Sequence, residues 1–491
     1  MAVNVRKLQR PKPTAASLFV AIAVIFGVYF SLSTPLLWGA DETTQLGKAY
    51  QVSQGHIRPE FFGIFHGGGY GGHIPNSLLN LIDHVNSNLT TYTRVNSNGV
   101  GQVNNPSSYH IYASQKIGTA TTPYVFSNTA PYSPLAYIPS ALGLRLGTIL
   151  KLDIGDIIYL ARLLNLAACI LLIWLALRSL RAYKAKWIIF VVALLPMTLF
   201  QSAMITADGL TNAASLLLVA LVIKGLLSKT KLSLAEKLLL GLTVIGIPLL
   251  KPTYLALSFL ALLIPSTCFG VSRKASNLAK LVVLGVSMSL FAAWSYEVRN
   301  VTDAVRLVIP GPVWSTINPT SQEHFLIRHP VSYIATIFRT LMLNDNSMFN
   351  QFFGLLGFNY VQIPGASIVA SFVAMLLALL IADDVDKKKA KTTITAFLAA
   401  IAICVLLMFT TFYITLTSVG GTVIGGIQGR YFIPLAAPLL FGLSLLATKL
   451  GLRPKEALDH GLYRRTSCLI VILVVLSLAL GAAKYHYITF G

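Results

Sequence analysis

The chain has 491 residues; 55% are hydrophobic and only 11% are charged. Soluble proteins carry about 25% charged residues, which excludes a string of soluble domains, and a disordered chain would be far more polar. Lys plus Arg number 38 against 17 Asp plus Glu, a net charge of +21, which suits nucleic acid or a membrane surface; the position of the charges decides between them.

Eleven apolar stretches are long enough to span a bilayer: 15–37, 157–177, 187–205, 209–223, 238–250, 253–270, 281–297, 366–382, 393–416, 431–448 and 466–483. The predicted fold class is therefore an all-α polytopic membrane protein of about 11 transmembrane helices. The first stretch has a basic flank, Arg6 to Lys12, but is too long for a signal-peptide core and reads as a retained span. With a cytoplasmic N-terminus (1–14), the inner segments 178–186, 224–237, 271–280, 383–391 and 449–465 complete a set holding 24 of the 38 basic residues. This positive-inside bias fixes the orientation in a cytoplasmic membrane. The net charge belongs to the inner surface; the partner it implies is the lipid bilayer, and no nucleic acid is needed. Cys169, Cys268, Cys404 and Cys468 lie in or at the ends of apolar segments and read as small buried hydrophobes.

Two outer segments are long, 39–156 and 298–365, and loops of that length usually carry function. They divide the chain into the N-terminus 1–14, a module 15–297, the second outer segment 298–365 and the C-terminal spans 366–491. The first outer segment opens with Asp41 and Glu42 directly after a span. They are either a solvated interfacial pair or catalytic acids. Tyr50, His56 and Arg58 follow. Gly63, Gly67, Gly68, Gly69, Gly71 and Gly72 suggest a mobile loop able to approach a ligand. His66, His73, His84 and His110 lie in the same segment without metal-site spacing. Two amphipathic pieces, 74–89 and 132–150, read as helices in the outer interface plane.

Among the later spans, Asp208 sits in a very short outer turn, where it either caps the next helix or serves a site. Lys251 follows an apolar run of 13 residues, about 20 Å of helix, which would leave its ammonium inside the membrane facing a polar cavity or snorkelling outward. Arg430 ends a glycine-rich turn, Gly425-Gly426-Ile427-Gln428-Gly429-Arg430-Tyr431. Backbone N–H groups, a helix start and a guanidinium in one place suit a phosphate; the alternative is an interfacial anchor beside Tyr431.

Ala40-Asp41-Glu42, Lys48-Ala49-Tyr50-Gln51, Tyr132-Ser133-Pro134, Ala161-Arg162-Leu163-Leu164-Asn165, Lys251-Pro252-Thr253-Tyr254 and Gln428-Gly429-Arg430-Tyr431-Phe432 together resemble the bacterial membrane proteins of the domain of unknown function 2142 family. The chain departs from that pattern at Gly39-Ala40, where a proline-rich approach is expected, and at Gln45, where a histidine is expected. The family in turn resembles the GT-C superfamily of glycosyltransferases. By analogy, that resemblance implies a GT-C-like fold whose long first outer loop carries interfacial helices. It implies transfer of a sugar, with inversion, from a polyprenyl-phosphate donor to a hydroxyl of an envelope glycan, lipid or protein on the outer face. Asp41 or Glu42 would be the base, Arg430, Lys251 and Gln428 would hold the donor phosphate, and Tyr50, His56, Asp208 and Tyr431 would line the substrate site. No cofactor is implied with certainty, and a divalent metal ion is left open. The competing classes are a transporter or flippase of lipid-linked sugars, and a non-catalytic envelope assembly protein.

Overall fold

The computed structural model describes residues 14–63, 68–96, 107–308, 312–453 and 459–490; the basic flank, His66 and Gly67 fall outside them. Helix α1 (Ala15–Ser33) opens on a capping box in which the Thr14 and Ser17 hydroxyls each accept the other's backbone N–H. It stops at Thr34, which precedes Pro35 and is extended. The chain then turns through Leu37 and Asp41, both at positive φ (62° and 56°), into α2 (Glu42–Ser53).

A feature with no helical reading follows. Strands β1 (Glu60–Phe62) and β2 (Gly69–Pro75) form an antiparallel sheet, with α3 (Asn76–Asn96) and α4 (Ser107–Ala113) leading to β3 (Thr121–Val125) on the other side of β2. This corrects the mobile glycine loop: Gly69, Gly71 and Gly72 are strand residues, and a Cβ at Gly71 would stand 1.8 Å from the Tyr124 carbonyl oxygen. The glycines permit close backbone approach to a neighbouring strand. The two amphipathic helices do form. α3 buries Leu78, Leu81, Ile82 and Val85, while α5 (Ile138–Ile149) packs on α6 (Ile154–Ser179) through Gly143 against Ala161. The far side of α5 exposes Ile138, Leu142, Leu146 and Ile149, the pattern of a helix lying at a membrane interface.

The chain continues through α7 (Lys186–Ala193), α8 (Pro196–Ser202), α9 (Ala207–Leu227), α10 (Leu234–Leu250), α11 (Leu255–Ser258), α12 (Arg273–Glu297), α13 (Arg299–Asp303), α14 (Pro319–Arg328) and α15 (Pro330–Gly354). A short hairpin, β4 (Leu355–Leu356) with β5 (Val361–Gln362), precedes α16 (Gly365–Ile381), α17 (Lys387–Leu416), α18 (Ile433–Lys449) and α19 (His460–Phe490). Among the described residues, seven helices are long and apolar enough to cross a membrane: α1, α6, α9, α12, α17, α18 with its preceding turn, and α19; α16 and the run Pro252–Leu263 are shorter apolar pieces.

Several of the eleven expected spans are thus corrected. The stretch 187–205 breaks between α7 and α8, because Pro196 bars Leu195 from helical geometry and leaves it extended (ψ 138°). The stretch 253–270 is a chain of short turns between Pro252 and Pro265, with α11 as its one α-helical turn. Helix α10 starts earlier than its apolar run, on a Ser233/Glu236 capping box; its 17 residues reach about 26 Å, so it is not half-length. Cys468 is exposed, unlike the other three cysteines. The core centres on α9, of whose apolar window 89% is buried inside the protein.

Candidate functional site

The α1–α2 corner is held by one ion pair. Arg162 Nε and Nη2 donate to Glu42 Oε1 and Oε2 at 2.8 and 2.6 Å, and both side chains are fully buried. The remaining guanidinium N–H groups donate to the carbonyls of Ser31, Thr34 and Pro35 at 2.7–3.0 Å. All five donors of the arginine are therefore used. Glu42 also accepts from the Gly39 and Ile205 backbone N–H groups at 2.9 and 3.0 Å. A pair so completely satisfied is a rigid anchor, and removing one member would leave the other charged and buried, at a cost of about 3–5 kcal/mol. Glu42 consequently has no oxygen turned toward open space.

Asp41 points elsewhere. Its left-handed conformation (φ 56°, ψ 18°) sends the carboxylate to Arg430, Nη2 to Oδ2 at 2.9 Å. The Asp41 side chain is 39% exposed and that of Arg430 only 4%. Arg430 Nε lies 3.5 Å from Asp208 Oδ2 but makes no hydrogen bond. Lys251 closes on Asp208 Oδ1, and its ammonium stands over the Tyr431 and Tyr132 rings at 4.7 and 5.4 Å. Gln201 donates to Asp208 Oδ2 and Asn212 to Gln201, both at 2.9 Å. Two acids and two cations thus form a neutral network where α2, α8, α9, α10 and the turn before α18 meet.

Several expectations change here. Thr206, not Asp208, caps α9, its hydroxyl accepting from the Asp208 N–H. Lys251 neither snorkels nor stands free; it is buried and paired with Asp208. Part of the backbone of the glycine-rich turn is used within the protein. Gly420, Ile424 and Gly429 donate their N–H groups to Gln322, Thr340 and Gln351 at 2.7–2.9 Å. Arg430 itself remains the group able to meet an anion. Gln428 Oε1 is buried without a partner, and the Tyr431 carbonyl accepts from Tyr254 at 2.7 Å. Gln45, in place of the expected histidine, accepts from Tyr137 at 2.5 Å and from the Ala207 N–H at 3.4 Å.

Tyr50 and His56 are not brought into this network by any hydrogen bond or ion pair among the described residues. Tyr50 sits two turns along α2, about 12 Å from its start, where burial raises its hydroxyl pKa. His56 is exposed beyond the helix. Sequence reasoning gave no site role to Arg162, Gln201, Asn212 or Lys48. Lys48 is fully buried, with Nζ on Gln51 Oε1 at 3.0 Å and 6.0 Å from the Trp294 ring centre. Burial pushes its amine down to about 7. Arg162 and Lys48 both stood inside quoted motifs; the signal was a cation in a run otherwise apolar or uncharged.

Among the described residues no cluster of three or more His, Cys, Asp or Glu forms that could hold a metal ion. No curated protein matches the chain. Residues 24–439 match the family model described as predicted membrane protein, DUF2142, a match that takes in Asp41, Glu42, Arg162, Asp208, Lys251 and Arg430. The chain belongs to that family of membrane proteins.

Proposed function

We propose that the chain is a glycosyltransferase that moves a sugar from a polyprenyl-phosphate donor to a hydroxyl of an envelope glycan, lipid or protein. The observation that carries this reading is the Asp41–Arg430 pair, a part-exposed carboxylate against a buried guanidinium. A donor phosphate displacing Asp41 from Arg430 would put a free carboxylate beside the reacting carbon. Asp41 would then take the acceptor hydroxyl's proton as that oxygen bonds to the anomeric carbon. The bond from that carbon to the phosphate oxygen breaks, and the phosphate keeps the electron pair. Arg430, with its unpartnered Nε, and Lys251 would stabilise the charge that develops there. Glu42 is a positioning residue in this scheme, and Asp208 holds the two cations in place. The positive-inside pattern supports a site on the extracytoplasmic face.

Purified protein in lipid nanodiscs, offered a panel of polyprenyl-phosphate sugars and an envelope extract as acceptor, tests the proposal. Asp41→Asn is expected to bind donor and to lose transfer by roughly 10²–10⁴-fold; full transfer by this variant would remove Asp41 as the base. A second reading, transport of lipid-linked sugars, draws on the interruption between α10 and α11 at Lys251, whose ammonium meets Asp208, since transporters often bind cargo at such breaks. Protein-dependent flipping of labelled lipid-linked sugar in liposomes, undiminished in Asp41→Asn, would favour it.

A further inference from the structure

Helix α15 lies in the segment that separates two groups of spans, yet it has three distinct sides. Tyr333, Thr336, Thr340 and Met348 are buried. Val331, Ile334, Phe338 and Met342 recur every three or four residues along another side and are exposed, Val331 to 81% and Met342 to 78%; Ile327, at the end of α14, and Phe349 extend the line. Ser332, Arg339 and Asn346, seven residues apart, are exposed on a third side, which also carries the exposed Leu343. Asp345 interrupts the apolar line after Met342; one of its oxygens accepts from the Asn346 N–H at 2.6 Å. A water-exposed loop helix has no use for the apolar side.

The depth of α15 follows from what its buried side touches. Tyr333 hydrogen-bonds Thr410 at 2.7 Å, lies tilted against Tyr413 at 5.1 Å between ring centres, and clusters with Phe409. These residues belong to α17, which starts at the basic run Lys387–Lys391. A hydrocarbon core of about 30 Å uses roughly 20 residues of helix beyond that run, so Phe409 to Tyr413 stand near the opposite boundary of the bilayer. The other end of α15 meets Gly429, the first residue of the next span: Met348 O would be 1.7 Å from a Cβ there. Both ends are thus at one membrane level.

We infer that α15 is an in-plane membrane helix whose line Val331–Met342 is embedded among the acyl chains of the leaflet nearest Arg430, with Ser332, Arg339 and Asn346 on its water side. It is also the element that supplies Thr340 and Gln351 to the turn carrying Arg430, so lipid contact supports that turn whichever chemistry the site performs.

Nitroxide labels at single cysteines on a Cys468→Ser background, in nanodiscs, test this. The positions are Val331→Cys, Phe338→Cys and Met342→Cys on the apolar line, and Ser332→Cys, Arg339→Cys and Asn346→Cys on the polar side. All six are exposed, so labelling does not require unfolding, and a monodisperse elution profile checks each variant. Dissolved oxygen is expected to relax the first three more strongly and a water-soluble nickel chelate the last three, alternating with the helical period. Equal nickel access to both sets overturns the inference in favour of a solvated helix. Shielding of the apolar line from oxygen and nickel alike overturns it in favour of a protein partner or a second copy.

Discussion

Asp41 and Glu42 are neighbours in sequence with opposite fates, and the cause is local. Glu42 starts a helix and is drawn into Arg162, 120 residues later; Asp41 is left at positive φ with its carboxylate part exposed. The acid pair was legible in the sequence, but the division between them was not, because it depends on which oxygen finds the arginine across the fold. Lys48 carried only the signal of a lone cation in an uncharged run, which does not say that the fold will bury it. Its burial has a testable consequence. Below about pH 7 the amine is charged whether the segment is folded or open, and the burial penalty is fully present. Between about 7 and its ordinary 10.5 the opened chain holds a proton that the folded one releases, so stability rises with pH across that window, by about 1.4 kcal/mol per pH unit where the difference is a whole proton. Thermal unfolding of detergent-solubilised protein from pH 6 to 9 should show that rise, and Lys48→Met should unfold at higher temperature at pH 6 and lose the slope. A slope unchanged in the variant would assign it to other groups.

At the scale of elements, long uninterrupted apolar runs were read correctly as α1, α6, α9, α12, α17, α18 and α19, with ends shifted by up to eight residues. The failures were at prolines. Pro196 and Pro252 sit within or beside apolar runs, and hydropathy alone does not register that they divide the backbone into pieces. The glycines misled in the opposite sense, since a run that permits mobility also permits the tight β2–β3 contact. Close packing of α15 against the turn before α18 makes a sharper prediction. Gly429→Ala would drive a methyl group into the Met348 carbonyl and is expected to lower the unfolding temperature and displace Arg430. Gly241→Ala, in α10 with open space around it, should be neutral or stabilising by about 0.5–1 kcal/mol. Equal behaviour of the two variants in a thermal-shift assay would mean that the α15 contact yields easily.

For the whole molecule, the distribution of Lys and Arg predicts that the network and the sheet share one side of the membrane, opposite Lys387–Lys391. An impermeant thiol reagent applied to intact cells should label Ser53→Cys and spare Lys388→Cys until the cells are opened, both on a Cys468→Ser background; the reverse pattern would invert the topology. The polytopic architecture was thus readable from composition, whereas a shared site for Asp41, Asp208, Lys251 and Arg430 was expected only through the family resemblance, because they lie on segments far apart in the chain. The same arrangement has a bearing on biogenesis. Helix α9 is enclosed by the preceding α6, by α10 just after it and by the distant α18, yet it is synthesised some two hundred residues ahead of α18. A nascent chain halted before α18 emerges would hold a finished span with one flank open, carrying Asp208 and Lys251 but lacking their arginine. Until the ribosome delivers α18, that flank is a surface for an insertase or a membrane chaperone to guard.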